Sequence, residues 1–176
     1  LGGATGPVMI SGSGGASTFG VVAAADGRLT FSLSTAGGPI APASGQLAGL
    51  LEASNHVADQ RVGLDALASQ VATSLNAAHG AGFDANGNPG SPLFTLGATG
   101  AASLVAVALL PDQVAAADAS SANGNLLSLA GLRGNTGVEA GWAAIVAAQS
   151  QSVATARAED AAASSRRDGA FAARSE

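Results

Sequence analysis

Residues 44–94 read SGQLAGLLEASNHVADQRVGLDALASQVATSLNAAHGAGFDANGNPGSPLF. This stretch decides the fold, because its pattern changes character halfway through. Leu50, Val57, Leu64, Ala68, Val71, Leu75 and Ala78 recur at three-and-four spacing, which predicts a helical stripe. Ser44 is placed to cap a helix that starts near Gln46. From Leu47 to His79 such a helix runs about 50 Å. Gly63 weakens its middle, a break falls within residues 54–59, and Gly80 and Gly82 stop it. After it comes Asp84-x-Asn86-x-Asn88, the spacing that opens a calcium loop. Such a loop also needs glycine at its sixth position and a bidentate glutamate at its twelfth. Pro89 and Thr95 stand there instead. Asn-Gly and Pro-Gly are strong turn formers, so residues 84–90 read as a turn and no metal is assigned.

Upstream, residues 1–45 are rich in Gly, Ser, Thr and Pro and form a β-rich segment. Leu29, Phe31 and Leu33 alternate with Arg28, Thr30 and Ser32, the pattern of a half-buried strand. Asp26-Gly27 supplies a tight turn with positive φ, which gives a hairpin at about residues 18–24 and 28–34. Two strands alone are marginal, so further strands are expected upstream of Leu1. A start at Leu1 also reads as a fragment or a processed chain. "GSGG" at 12–15 reads as linker or turn.

Downstream, residues 83–135 read as turns, a strand at about 102–108, and short helices near 112–118 and 124–132. A second helical stripe follows in Trp142, Val146, Gln149, Val153 and Ala156. Beyond Ala156 the seam carries Asp160 and Ala163 and loses its large apolar residues. A helix so poor in large side chains needs a partner. The expectation is that Leu64, Val71 and Leu75 face Trp142, Val146 and Val153. The fold class is therefore α+β: long paired helices over 46–168, with inserted turns, a short strand and short helices, beside a β-rich unit at 1–45. Residues 169–176 are left as a tail.

Composition narrows the function. The chain has 176 residues and a net charge of −5. It has no lysine, so no basic patch can follow a nucleic-acid backbone or an anionic membrane. Cysteine is absent, which excludes disulfides and thiolate sites. Hydrophobic residues make up 47% but aromatics only 3%, so the apolar surface is mostly Ala, Val and Leu. Small side chains suit closely packed helices. Charged residues at 11% fall well below the usual quarter and fit a subunit that meets neighbours over much of its surface. No apolar run is long enough to span a membrane, and "LGGATGPVMI" is no secretory signal.

Candidate chemistry is sparse. His56 and His79 are the only histidines, too far apart along one helix to share a metal, and each is given a polar, partly exposed role. There is no G-x-S-x-G elbow and no P-loop. Glu159 and Asp160 are adjacent and point to different sides of a helix. "SSRRD" at 164–168 is a solvated charge cluster. No catalytic, cofactor-binding or metal residue is assigned, and an enzyme is not expected.

The block at 45–94 resembles the flagellar hook-associated protein 1 family. Gly45, Leu47, Gly49, Leu50 and Leu51 match the family's helix-opening segment. Asn76, His79, Gly82, Asp84, Gly87 and Gly90 match its "N-x-x-H-x-x-G-x-D-x-x-G-x-x-G" ending, with Phe94 just beyond. The resemblance extends more weakly over about residues 28–168. Ser54-Asn55 replaces the family's Arg-Asp, and "DGAFAARSE" stands where its terminal assembly segment is expected to begin.

The resemblance implies a non-catalytic structural subunit of the junction between flagellar hook and filament. It implies export through the flagellar type III channel, an extracellular location, an inner helical domain and outer β domains. The implied partners are the hook protein, the next hook-associated protein and an export chaperone, with this chain monomeric by itself. The rival class is a secreted adhesin or glycan-binding domain, which calls for repeats or an aromatic platform that the sequence lacks.

Overall fold

The computed structural model describes residues 8–12, 15–33, 38–132 and 137–175. The chain divides into two compact units, Leu1–Gly63 and Leu64–Glu176.

In the first unit, β1 (Val8–Gly12), β2 (Gly15–Ala23), β3 (Leu29–Leu33) and β4 (Pro39–Ile40) form an antiparallel sheet in that order. The expected hairpin is β2–β3, with Val21 opposite Phe31 and Phe19 opposite Leu33. Phe31 is 2% exposed, and its ring centroid lies 5.4 Å from that of Phe19. Thus the alternation in β3 does bury its central apolar residue. One detail departs from the sequence reading. The strands that complete the sheet, β1 and β4, come from within the chain. The connection keeps the expected bounds, with residues 25–27 between the paired Ala24 and Arg28. Gly27 N–H donates to Ala24 O (3.0 Å), Ala24 N–H donates to Arg28 O (2.8 Å), and only Gly27 takes positive φ, at 94°. A three-residue connection ending in a left-handed glycine keeps the strand twist without forcing Asp26 out of an ordinary conformation. Within "GSGG", Gly12 and Gly15 pair across β1 and β2, and the two residues between them lie outside the described residues.

The helix α1 runs unbroken over Gly45–Gly80. The expected break at 54–59 does not occur, because that segment is where the hairpin attaches. Leu29 N–H donates to Ser54 Oγ (3.3 Å), and Ser54 Oγ donates to Leu51 O (2.8 Å). Arg28 forms ion pairs with both Asp26 and Asp59, and Arg61 donates to Asp26 O. Ser54 is the departure from the family pattern noted above, and here it receives the hairpin backbone. The face that α1 buries coincides with the expected stripe only in part, at Ala68. Ala58, Ala68, Ala72 and His79 are buried, while Leu50, Val57 and Leu64 are exposed. Small residues let backbone and loops come close, and the burial follows that approach more than side-chain size.

The second unit holds the rest. β5 (Phe94–Thr95) pairs antiparallel with β6 (Val105–Ala106), and a 3-10 turn at Gly100–Ser103 takes up the start of the strand expected at 102–108. The helix expected at 112–118 is only a 3-10 turn, Pro111–Gln113. It stops because Ala117 pairs with Phe83 across an isolated bridge, which needs extended backbone. The helix expected at 124–132 is present as α2 (Gly124–Leu129) and a following 3-10 turn. The last helix, α3, covers Val138–Ala172, so the first half of the expected tail is helical.

The stripes of α1 and α3 do not bury each other. A Cβ on Gly141 would lie 2.9 Å from Leu67 Cδ1, so α3 approaches α1 closely at that glycine. Beyond it, Trp142, Val146 and Val153 are 54%, 45% and 37% exposed, and no described residue of α3 is buried. Val146→Asp is therefore expected to change the stability of this chain by no more than about 0.5 kcal/mol, as at other surface positions. A thermal melt checks this, and a clear loss of Tm would restore the buried stripe.

Candidate functional site

The motif residues of 76–90 converge at the end of α1. His79 sits in the last turn of that helix and is 1% exposed, not partly exposed as expected. Its Nδ1 lies 2.6 Å from Ser91 O, and its Nε2 lies 2.9 Å from Ala115 N. A carbonyl can only accept and a backbone amide can only donate. The ring is therefore the neutral tautomer that donates from Nδ1 and accepts at Nε2. One side chain thus ties two separate loop segments to the helix. His56 stays half-buried, with its Nε2 3.1 Å from Gln60 Nε2.

Asn76, one turn earlier, holds the next stretch. Its Oδ1 accepts from Leu93 N (2.7 Å) and Phe94 N (2.9 Å), and its Nδ2 donates to Phe94 O (2.8 Å). The side-chain amide acts as a strand partner would, and it fixes β5 against α1. Asp65, further up the helix, accepts from Ala101 N (2.7 Å) and holds the 3-10 turn in the same way.

The glycines supply room. A Cβ on Gly82 would come within 2.7 Å of Asn125 Cβ, and Asn125 is 4% exposed. Asn125 Nδ2 donates to Ala115 O (2.7 Å), so Ala115 is gripped through its N–H by His79 and through its C=O by Asn125. A Cβ on Gly90 would collide with His79 O and lie 2.6 Å from His79 Nδ1. Asp84 shapes the turn between these glycines. Its Oδ1 accepts from the amides of Asn86 and Asn88 (both 2.8 Å), and Gly87 takes φ 81°. The calcium-like spacing thus serves an Asx turn, with the carboxylate already committed to backbone donors. Titrating the chain with calcium is expected to give no site-specific heat. Micromolar binding that Asp84→Ala abolishes would sink the turn reading.

The same hydrogen bonds act on acidity. The Asn88 amide, above all, holds the Asp84 carboxyl below the usual 3.8, and the Ser120 amide does the same for Asp118. The depressed value means that the carboxylate stabilises the turn above 3.8, and that this contribution is lost as pH falls through the lower folded-state value. Following the Asn88 amide by NMR in an acid titration should show a midpoint below 3.8. A midpoint at or above it would remove Asp84 from the turn.

Sequence reasoning found Gly82 as a helix stop, Asp84, Gly87 and Gly90 within a turn, and His79 as a partly exposed polar residue, whereas Asn76 entered only through the resemblance. It missed Asn125 and Asp65, and it read Ser54 only as a departure. No local pattern marks them, since each acts on backbone far along the chain. Chemically, His79 spends both ring nitrogens on backbone and Asn76 does likewise with its amide, while Asn125 donates from Nδ2 to Ala115 O and accepts at Oδ1 from Ser128 Oγ (3.3 Å). Among the described residues no group of three or more His, Cys, Asp or Glu gathers to hold a metal ion.

Fold and node together define an α+β structural module, one in which the polar residues of the motif fasten loops to a long helix. The model of the flagellar hook-associated protein FlgK helical domain matches residues 4–94, just over half of the chain. The chain belongs to the flagellar hook-associated protein FlgK family and is, at that level, a flagellar structural protein. The matched span takes in the hairpin, α1 and the motif, while residues 95–168 of the resemblance lie outside it. No curated protein and no solved structure matches the chain.

Proposed function

We propose that this chain is part of a subunit of the hook–filament junction, that it is non-catalytic, and that it works by packing against neighbours. The observation that carries the reading is the family match over 4–94, which contains the whole motif from Asn76 to Gly90. Three features support it. The polar motif residues are engaged with backbone. Charge is sparse, at 11% of residues. Among the described residues, α3 leaves a long apolar stripe uncovered. In this reading the subunit leaves the cell through the flagellar export channel with a chaperone and lies outside it. It then meets the hook protein on one side and the next hook-associated protein on the other. The β-rich unit belongs to an outer domain and the long helices to the inner one, over 1–45 and 46–168. Among the described residues no helix is long and apolar enough to cross a membrane. This chain by itself is monomeric.

The test is genetic. Deleting the parent gene should leave cells with hooks but no attached filaments, and flagellin should appear in the medium. Cells that keep normal filaments and motility overturn the assignment and bring the adhesin reading forward.

A further inference from the structure

The tetrapeptide Ala-Asn-Gly-Asn occurs twice, at 85–88 and at 122–125. Asparagine is a chemically labile residue, and a following glycine removes the steric bar to the reaction that consumes it. The glycine nitrogen attacks the side-chain carbonyl carbon of the asparagine. A carbon–nitrogen bond forms, the bond to the side-chain nitrogen breaks, and ammonia leaves with the proton given up by the glycine amide. Water then opens the five-membered imide at either carbonyl, which yields aspartate or isoaspartate. Since the two local sequences are identical, any difference in rate between them comes from the fold.

The fold treats the two copies differently. Asn86, Gly87 and Asn88 are all exposed, and nothing lies within 4 Å of the position a Gly87 Cβ would take. Ala85 N–H donates to Asp112 O (3.1 Å) just before the turn, and the contacts that hold Asn86 and Asn88 are exposed hydrogen bonds to Asp84, which open locally at little cost. At the second copy, Asn123 O accepts from Leu127 N (3.2 Å) and so starts α2, of which Gly124 is the first residue. The Asp118 carboxylate fills the space at Gly124. Asn125 is anchored on both sides of its α-carbon, by its own N–H to Ala116 O (3.0 Å) and by its buried side chain to Ala115 O. Both glycine amides donate to a carbonyl, Gly87 to Asp84 O and Gly124 to Ser121 O, so that contact does not separate them. Ring closure needs the Asn–Gly peptide to rotate. At 86–87 this releases a surface turn. At 123–124 it unwinds the start of a helix and draws a buried amide out of its site.

We infer that Asn86 is a spontaneous deamidation site of the folded protein, and that Asn123, in the same tetrapeptide, is protected by the packing of Gly124 and Asn125. The product adds a carboxylate beside Asp84. Its isoaspartate form lengthens the backbone inside the turn and pulls the Asn88 amide away from Asp84.

The test incubates the full chain in mildly alkaline buffer and follows both asparagines by mass-spectrometric peptide mapping, folded and in denaturant. In the folded chain, conversion at Asn86 should run several-fold faster than at Asn123, and Asn86→Gln should remove the fast component. In denaturant the two rates should converge. Equal rates in the folded chain, a faster Asn123, or a difference that persists in denaturant overturns the inference.

Discussion

Replacing His79 with alanine is expected to cost about 3–5 kcal/mol, the upper range for a single substitution. The reason lies in what is left behind. Ala115 N–H loses its acceptor and Ser91 C=O loses its donor. Each group left buried and unpaired costs roughly 1–3 kcal/mol. The vacated ring space at a residue 1% exposed adds a cavity term. For a chain of this length the total corresponds to a fall of roughly 6–20 °C in Tm. Hydrogen exchange gives the sharper readout. The Ala115 amide should lose protection first and most, whereas amides of β2 and β3 should change little, because they belong to the other compact unit. His79→Gln offers a control, since its side-chain oxygen can replace Nε2 as acceptor and recover part of the loss. If alanine left the Ala115 amide as protected as before, His79 would not be the fastener described here.

How much of this was legible in the sequence depends on the range of each interaction. The three-and-four spacing placed α1 within a residue of its observed ends, and the alternation around Phe31 placed the hairpin. Both are local patterns with a fixed period. The buried face of α1 was legible only at Ala68, because Ala58 and Ala72 give no signal above the larger Leu50, Val57 and Leu64. Which side of a helix is covered is set by distant segments. The expected break in α1 at residues 54–59 failed for the same reason, since Ser54 and Asp59 are held by Leu29 and Arg28. Pairing of the α1 and α3 stripes was a reasonable inference from amphipathic pattern. The structure confines the close approach it shows to Gly141, and it leaves Trp142 half exposed. The motif from Asn76 to Gly90 was visible as spacing, yet its purpose was not. Asn76 and His79 reach residues 12 to 36 positions away, and a sequence scan cannot say that a histidine accepts from the amide of Ala115.

Gly90→Ala is expected to cost about 3 kcal/mol, at or above the top of the usual range for overpacking. The new methyl meets His79 O, which is backbone and cannot turn aside, as well as His79 Nδ1 at 2.6 Å and the Ala115 methyl at 2.7 Å. Relief requires the 82–90 loop to lift from the helix end. That movement breaks the Gly90 N–H bond to Gly82 O (3.2 Å) and strains the grip of His79 on Ser91. The two substitutions therefore act on one contact and should not add. Removing the imidazole takes away one of the atoms the methyl strikes, and it also removes the bond that lifting the loop would have broken. His79→Ala with Gly90→Ala should cost less than the sum of the single changes by about 1 kcal/mol or more, within the range found for residues in contact. Denaturant melts of the four proteins measure this directly. Strict additivity would mean that His79 and Gly90 stabilise the chain independently, and the spacing that joins them in the motif would then need another physical cause.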